Sequence, residues 1–276
     1  MTRQEIIQQI KIKRSFLCVG LDPDPKKMPQ CVFDVYDPIF HFNRAIIDAT
    51  APYSIAFKPN LAFYEAYGSN GMKAYMDTIN YIRQKHPHHL IIADAKRADI
   101  GNTAAMYART FFQEHDVHAL TVAPYMGEDS VTPFMQYTGK WVVLLVLTSN
   151  PGSQDFQYIQ NAQGEPLFSQ VIRKSQQWGA TPDNMMYVVG ATHPEQLHQI
   201  RTIAPKHFLL VPGIGAQGGS LHEVCKYGMT TDGGLIINAS RSIIYASGDD
   251  HFAEIAGNKA RELQQQMSDE LRAAGI

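Results

Sequence analysis

The sequence predicts an α/β fold, a single (β/α)8 TIM barrel domain over residues 1–276. Eight short apolar runs recur along the chain, and stretches with helical spacing lie between them. Eight such units in about 250 residues are what a closed barrel requires. A doubly wound open sheet needs fewer units and ranks second. Because no linker-like tract or change in composition divides the chain, we expect one domain.

The apolar runs are short and aliphatic or β-branched, as expected of strands buried on both faces. They occupy 16–21, 54–58, 90–95, 118–123, 141–147, 185–191, 207–213 and 234–240. A helix is expected after each strand, and the stretches with helical spacing include Gly71–Lys85, Thr103–Glu114, Glu165–Gly179, His193–Ile203 and Asp250–Ala273. Two longer irregular segments, near 22–37 and 149–165, follow strand ends. In a barrel, this face carries the active site.

The composition excludes several classes of protein. Lys and Arg number 24 against 26 Asp and Glu, and the resulting net charge of −2 gives no general affinity for nucleic acid. No apolar run is long enough for a membrane helix, and the polar N-terminus lacks the apolar core of a signal peptide. Cys18, Cys31 and Cys225 are widely spaced, which suits a reducing cytoplasm. We therefore expect a cytoplasmic protein without nucleic-acid or membrane partners.

The strongest local motif is an aspartate–lysine–aspartate cluster, Asp94, Lys96 and Asp99, at the end of the third predicted strand. Positions i and i+2 of a strand share a face, so Asp94 and Lys96 should project the same way. Two carboxylates around an ammonium group would keep that lysine charged and oriented. A surface salt-bridge cluster is the alternative, but charges at the carboxyl end of a barrel strand favour catalysis.

Two neighbouring strands also end in charged residues. Lys58 lies at the end of the second strand, where parallel pairing would place it beside Asp94, and Asp22 follows the first. Either residue alone is typical of a cap or a solvated turn. Three successive strands that end in charge instead indicate a functional site.

A phosphate-binding site is predicted after the last two strands, at Pro212–Gly219 and Asn238–Ser242. Loops at these positions of a barrel bind phosphate through backbone N–H groups, and Arg241 would add a bidentate partner. Residues 213–218 also match the dinucleotide pattern GxGxxG, but too little chain follows to complete a nucleotide-binding fold. A glycine-rich turn without a ligand is the alternative.

The histidines His86, His88 and His89 form a cluster that is a candidate for metal binding. They lie in a polar helix-to-strand loop without a carboxylate at metal spacing, so we predict a solvated turn. No metal site is predicted anywhere in the chain.

Taken in order, these motifs resemble the orotidine 5′-phosphate decarboxylase family over nearly the whole chain. The resemblance rests on Leu21-Asp22-Pro23, Phe57-Lys58-Pro59, Asp94–Gly101, Val188–Thr192, Pro212–Gly219 and Ser240-Arg241-Ser242. The chain is longer than many members, and the extra segments near 22–37 and 149–165 resemble a longer bacterial branch. The DxKxxD motif alone is shared with related sugar-phosphate decarboxylases and synthases.

The resemblance implies decarboxylation of orotidine 5′-phosphate to UMP, the last step of de novo UMP synthesis, without a metal or organic cofactor. It implies that Lys96 protonates C6 of the pyrimidine, that Asp94 lies against the substrate carboxylate, and that Lys58 holds Asp94 and the ribose. The resemblance also implies that Asp22 contacts the ribose hydroxyls and that Ser149 contacts the pyrimidine edge. It implies that Gln217 and Arg241 hold the phosphate. Further substrate-binding residues implied by the resemblance are Pro212, Gly218 and Ser240.

The resemblance also implies a homodimer with shared active sites. Asp99 would reach into the partner's site, with Ile100 and Thr103 beside it. Three other functions stay open at this stage: a metal-dependent sugar-phosphate enzyme on the same scaffold, an aldolase that forms a Schiff base through Lys58 or Lys96, and a non-catalytic binder of a phosphate ligand.

Overall fold

The eight strands form a closed barrel in sequence order, which confirms the predicted α/β architecture. The computed structural model describes residues 1–191, 194–214 and 220–276. The strands are β1 Leu17–Leu21, β2 Ala56–Pro59, β3 Leu90–Arg97, β4 Ala119–Val122, β5 Trp141–Leu147, β6 Met185–Val189, β7 Leu209–Pro212 and β8 Leu235–Ala239. Nearly every strand residue is buried, because a barrel strand faces side chains inside and helices outside.

The helices alternate with the strands. They are α1 Arg3–Lys13, α2 Pro38–Thr50, α3 Ala62–Glu65, α4 Gly68–Lys85, α5 Gly101–Arg109, α6 Thr132–Met135, α7 Leu167–Gln177, α8 Pro194–Ile203, α9 Leu221–Gly228, α10 Arg241–Ile244 and α11 Phe252–Ala273. The predicted helices correspond to α4, α5, α7, α8 and α11. Among the described residues, no helix is both long and apolar enough to cross a membrane.

Helix α2 follows β1, as the predicted alternation requires, but its bounds were not given from the sequence although it carries clear start signals. Asp37 caps it, since its Oδ1 accepts a hydrogen bond from the Phe40 N–H at 3.1 Å, and Pro38 occupies the first helical position. The preceding segment near 22–37 is irregular apart from a short 3-10 turn at Gln30–Asp34, as predicted.

Packing divides the chain into two compact units, Arg3–Ala95 with Asn238–Ile276, and Lys96–Ile237. In the first unit the ring of Phe42 on α2 stacks on Tyr245 and Phe252, with centroids 5.9 and 5.3 Å away. In the second unit Trp141 and Phe208 are fully buried and meet edge to face. The single domain over 1–276 stays a prediction.

In the first unit, hydrogen bonds of the Lys13 side chain join α1 to the segment that precedes β2. The Lys13 Nζ donates to the carbonyl oxygens of Ala51 and Ser54, each at 2.7 Å, and to His89 Nε2 at 2.8 Å. Burial, and then the Lys13 ammonium, lowers the pKa of His89 to about 3. Burial also lowers the pKa of Lys13 to about 8. The predicted solvated turn is therefore wrong for His89, which is 4% exposed.

Candidate active site

The ends of β2 and β3 hold a buried ion pair between Lys58 and Asp94. The two strands are parallel, and Asn60 pairs with Asp94 just beyond β2. Lys58 lies two residues earlier than Asn60, so its long side chain extends along the strand direction toward the carboxylate. Its Nζ lies 2.7 Å from Asp94 Oδ2, and the two side chains are only 6% and 9% exposed. The predicted juxtaposition of Lys58 and Asp94 is confirmed.

The surroundings of this pair keep the lysine charged. Burial by itself would lower the pKa of Lys58, but the carboxylates of Asp94 and then Asp22 outweigh it and raise the pKa above its ordinary value. A fixed positive charge in a dry site acts on a ligand more strongly than one in water. The three charged groups thus form one electrostatic unit at the ends of β1, β2 and β3.

The end of β1 lacks a side chain where it passes β8. A Cβ on Gly20 would overlap the Ser240 Oγ and lie 3.3 Å from the Asn238 Oδ1. Gly20 pairs with Lys58 in the β1–β2 register, and it lies between Cys18 and Asp22 on one face of the strand. Only glycine allows β8 to approach this closely, so its use here is steric.

Three side-chain oxygens, two of them close to Gly20 and one on Asp22 two residues further along, are buried without a hydrogen-bond partner among the described residues. They are Asp22 Oδ1, Asn238 Oδ1 and Ser240 Oγ. An unpaired buried acceptor costs free energy, so a group of them suits a ligand that brings hydrogen-bond donors. Asn238 was predicted only as part of the phosphate-binding segment Asn238–Ser242, and its side chain was given no contact of its own.

Lys96 lies near the end of β3 with a left-handed backbone, φ 46°. Its N–H donates to Thr121 Oγ1 at 2.8 Å, and its side chain is exposed. The regular alternation that would give Lys96 and Asp94 a shared face does not apply at such a φ, so that prediction lacks its geometric basis. Strained backbone of this kind clusters at functional sites.

The segment after β3 lies at the surface of the second unit. Asp99 Oδ1 accepts a hydrogen bond from the Ile100 N–H at 2.8 Å, and this bond fixes the turn into α5. The Ile100 side chain is 51% exposed, and Thr103 in the first turn of α5 is also exposed. An exposed isoleucine of this size is available for contact with another chain.

The remaining predicted residues follow the ends of other strands. Ser149 follows β5 and packs closely on Gly190, whose Cβ, if present, would lie 2.8 Å from the Ser149 N. Pro212 ends β7, and its carbonyl accepts from the Ala191 N–H at 3.2 Å. Arg241 begins α10 and is exposed. Gln217 and Gly218 lie outside the described residues.

A cavity with a volume of about 420 Å³ lies in the first unit, beside the loop after β1, α2 and α4. Tyr36, Tyr67 and Lys73 line it together with Asp37, and none of the predicted site residues does. Within 1–191, 194–214 and 220–276, no three His, Cys, Asp or Glu side chains are grouped as a metal ion would need.

Comparison with known sequences gives consistent matches. The family model described as "Orotidine 5'-phosphate decarboxylase / HUMPS family" matches residues 15–254. The chain is 61% identical to the orotidine 5′-phosphate decarboxylase of Phocaeicola vulgatus over 97% of this chain and 98% of that protein. It is 60% identical to the enzyme of the same name from Bacteroides fragilis, over 99% of each.

Solved structures agree with these matches. The fold is similar to that of Leishmania donovani OMP decarboxylase, with a TM-score of 0.83 and 34% identity, over 98% of this chain and 99% of that chain. The Plasmodium berghei orotidine 5′-monophosphate decarboxylase has a TM-score of 0.85 over 99% of each chain, and at 20% identity it supports the fold alone.

Proposed function

Because the chain belongs to the orotidine 5′-phosphate decarboxylase family, we propose that Lys96 protonates C6 of the pyrimidine as CO2 leaves, and that no cofactor takes part. The chain is a carboxy-lyase of pyrimidine biosynthesis that converts orotidine 5′-phosphate to UMP. The observation that carries the proposal is the buried Lys58–Asp94 pair beside three unpaired oxygens at the ends of the barrel strands.

In the proposed step, the bond between C6 and the carboxylate carbon breaks and its electron pair stays on C6. A proton passes from the Lys96 ammonium to C6, and the neutral amine then regains a proton from water. The carbanion has no adjacent electron sink, so a cationic group placed beforehand lowers the barrier. Lys96 lies two residues after Asp94 on β3, at the strand end where barrel enzymes hold their catalytic groups.

Lys58 and Asp94 have a supporting role in this proposal. Asp94 lies against the substrate carboxylate, and like-charge proximity there disfavours the ground state relative to the product CO2. Lys58 holds Asp94 through the 2.7 Å ion pair and also reaches the ribose. Because burial keeps both side chains in place, the site needs little reorganisation as the reaction proceeds.

The unpaired oxygens at the ends of β1 and β8 suit the sugar of the substrate. A ribose presents hydroxyl donors, and Asp22 Oδ1 is an acceptor without a protein partner among the described residues. Ser149 would read the pyrimidine edge. Gln217 and Arg241 would hold the phosphate, with Pro212, Gly218 and Ser240 as neighbouring contacts, and this remote binding energy would help to position the base.

We further propose a homodimer with shared sites. The second unit exposes large apolar side chains after β3, β4 and β5, a pattern typical of a surface that another chain covers. These side chains are Ile100, Met106, Tyr125, Met126, Phe156 and Ile159. Asp99, Ile100 and Thr103 would enter the partner's site from this surface. A cytoplasmic location is inferred from the scarce and widely spaced cysteines.

The test uses the absorbance change from orotidine 5′-phosphate to UMP in excess EDTA. The turnover rate of the wild-type protein should be the same with and without EDTA. The kcat of Lys96→Ala should be lower by at least roughly a thousandfold. Lys259→Ala, on the exposed face of α11, is the matched control and should retain activity. Near wild-type turnover in Lys96→Ala would overturn the role of Lys96. Loss of wild-type activity in EDTA, restored by Mg²⁺, would favour the metal-dependent alternative.

Shared sites are tested by mixing inactive subunits. After random exchange, about half of the dimers are heterodimers of one Lys96→Ala and one Asp99→Ala chain, and one of the two sites in each heterodimer has both groups intact. About a quarter of wild-type activity should therefore return. Proven exchange without recovery would mean that Asp99 acts within its own subunit.

A further inference from the structure

The phenol hydroxyl of Tyr245 joins both sides of the turn after β1. It donates to the Asp22 carbonyl at 2.7 Å and accepts from the Asp24 N–H at 2.6 Å. Pro23 lies between these two residues and has no N–H of its own. One hydroxyl therefore satisfies a backbone carbonyl and a backbone N–H on either side of Pro23.

Tyr245 is itself held firmly. Its N–H donates to the Arg241 carbonyl at 3.3 Å at the end of α10, and its ring stacks on Phe42 at 5.9 Å. The Lys27 Nζ lies over the same ring, 5.9 Å from its centroid. Burial raises the pKa of the Tyr245 phenol, so the hydroxyl keeps the proton that it donates to Asp22.

The backbone of Asp22 is thus fixed while part of its carboxylate is left unpaired. The Asp22 Oδ1 is buried without a hydrogen-bond partner among the described residues. A side chain can bind a ligand with little loss of entropy when its backbone is already fixed. The Tyr245 hydroxyl provides that restraint from the segment that also carries Arg241.

We propose that Tyr245 is a positioning residue for substrate binding: it fixes the turn that presents the Asp22 carboxylate, and it ties this turn to α10. The inference rests on the proposed binding of ribose by Asp22. Tyr245 itself contacts backbone rather than substrate, so its effect should pass through Asp22.

The test is a double-mutant cycle between Tyr245→Phe and Asp22→Ala. Tyr245→Phe keeps the ring and removes the hydroxyl, and it should raise KM for orotidine 5′-phosphate about tenfold with kcat within about twofold. In the Asp22→Ala background the same change should raise KM less than about twofold. Tyr187→Phe is the control, because it removes a buried hydroxyl that lies 2.9 Å from Ser175 Oγ in the other unit, and it should leave KM unchanged.

The outcomes separate the two ideas. If Asp22→Ala leaves KM unchanged, the binding role of Asp22 fails and the positioning role falls with it. A second outcome is that Asp22→Ala raises KM while Tyr245→Phe leaves KM unchanged, or that Tyr245→Phe raises KM by the same factor in the wild-type and the Asp22→Ala protein. In either case only the positioning role is overturned. Should Tyr245→Phe fail to fold, hydrogen exchange in the wild-type protein decides. The Asp24 amide should exchange at least about 100-fold slower than an unprotected amide, and unprotected exchange would contradict the proposal.

Discussion

Strand β2 has a lysine near each of its ends, and the two lysines have opposite surroundings. Before the strand, Lys13 donates to two backbone carbonyls and to the neutral ring of His89. Toward the end of the strand, Lys58 pairs with the Asp94 carboxylate and also interacts electrostatically with Asp22. The pKa of Lys13 is lowered by burial to about 8, whereas the carboxylates overcome burial and raise that of Lys58.

The difference distinguishes a lysine that is held by neutral partners from one that is held by carboxylates and that we propose to act in the active site. Carbonyls and a neutral imidazole give Lys13 directional bonds that hold α1 in place but leave no net charge nearby. Carboxylates hold Lys58 as a permanent cation at the strand end where barrel enzymes place their chemistry. Burial alone therefore does not identify a site; the chemistry of the partner does.

Of the lysines in this comparison, Lys58 should show the largest effect when it is replaced. Lys58→Met leaves the Asp94 carboxylate buried without its partner, which should lower the free energy of unfolding by about 3 kcal/mol. Turnover of orotidine 5′-phosphate should fall at least roughly a hundredfold, because Asp94 loses its fixed position. Chemical denaturation and the absorbance assay measure the two effects. Unchanged turnover in a folded variant would place Lys58 in the structural class with Lys13.

A smaller effect, on stability only, is expected at Lys13. Lys13→Met removes the ammonium that donates to the Ala51 and Ser54 carbonyls and should cost about 1–3 kcal/mol of unfolding free energy. Values of kcat and KM should stay within about twofold of wild type. A marked loss of kcat at full folding would remove the distinction between the two ends of β2.

Acid should destabilise the protein through His89. Its pKa is about 3 when folded, mainly because of burial, against an ordinary 6.5, so the unfolded chain binds the extra proton between these values. Stability should therefore fall as pH drops from about 6.5 toward 3, by at most about 1.4 kcal/mol per pH unit from this group. Denaturant melts of wild type and His89→Gln at several pH values measure it. Parallel profiles for the two proteins would contradict the assignment.

The smallest effect is expected at a lysine without burial. Lys259 pairs with Glu262 at 2.8 Å on α11, where both side chains are about half exposed. Lys259→Ala should change the unfolding free energy by less than about 0.5 kcal/mol, because solvent screens the pair. A loss comparable to that of Lys13→Met would show that burial is not what distinguishes these lysines.

The sequence predicts the barrel well because its strands are buried on both faces. Runs such as that of β5, Trp141–Leu147, are uniformly apolar and need no knowledge of the tertiary contacts. The bounds of helix α2 were not predicted although Asp37 and Pro38 mark its start. The parallel order of strands was also enough to bring Lys58 and Asp94 together.

Features that depend on contacts between distant segments were beyond sequence reasoning. The left-handed backbone of Lys96 is set by its surroundings, since lysine has no local preference for it. His89 lies in a polar stretch, and contacts with Lys13 on α1 and with the Phe57 ring on β2 accompany its burial. The bonds of Tyr245 to the turn after β1 span more than 200 residues of sequence, which no local pattern indicates.

The first compact unit is assembled from the two ends of the chain, and this has a consequence during synthesis on the ribosome. The rings that cover Phe42 on α2, those of Tyr245 and Phe252, are translated only after the segment Lys96–Ile237. At about 5–20 residues per second, the intervening Lys96–Ile237 takes roughly 7–28 s to make. Until then the nascent α2 lacks its cover and is open to chaperones. Chains arrested before residue 238 should therefore be cut by protease within α2, where the finished protein is protected.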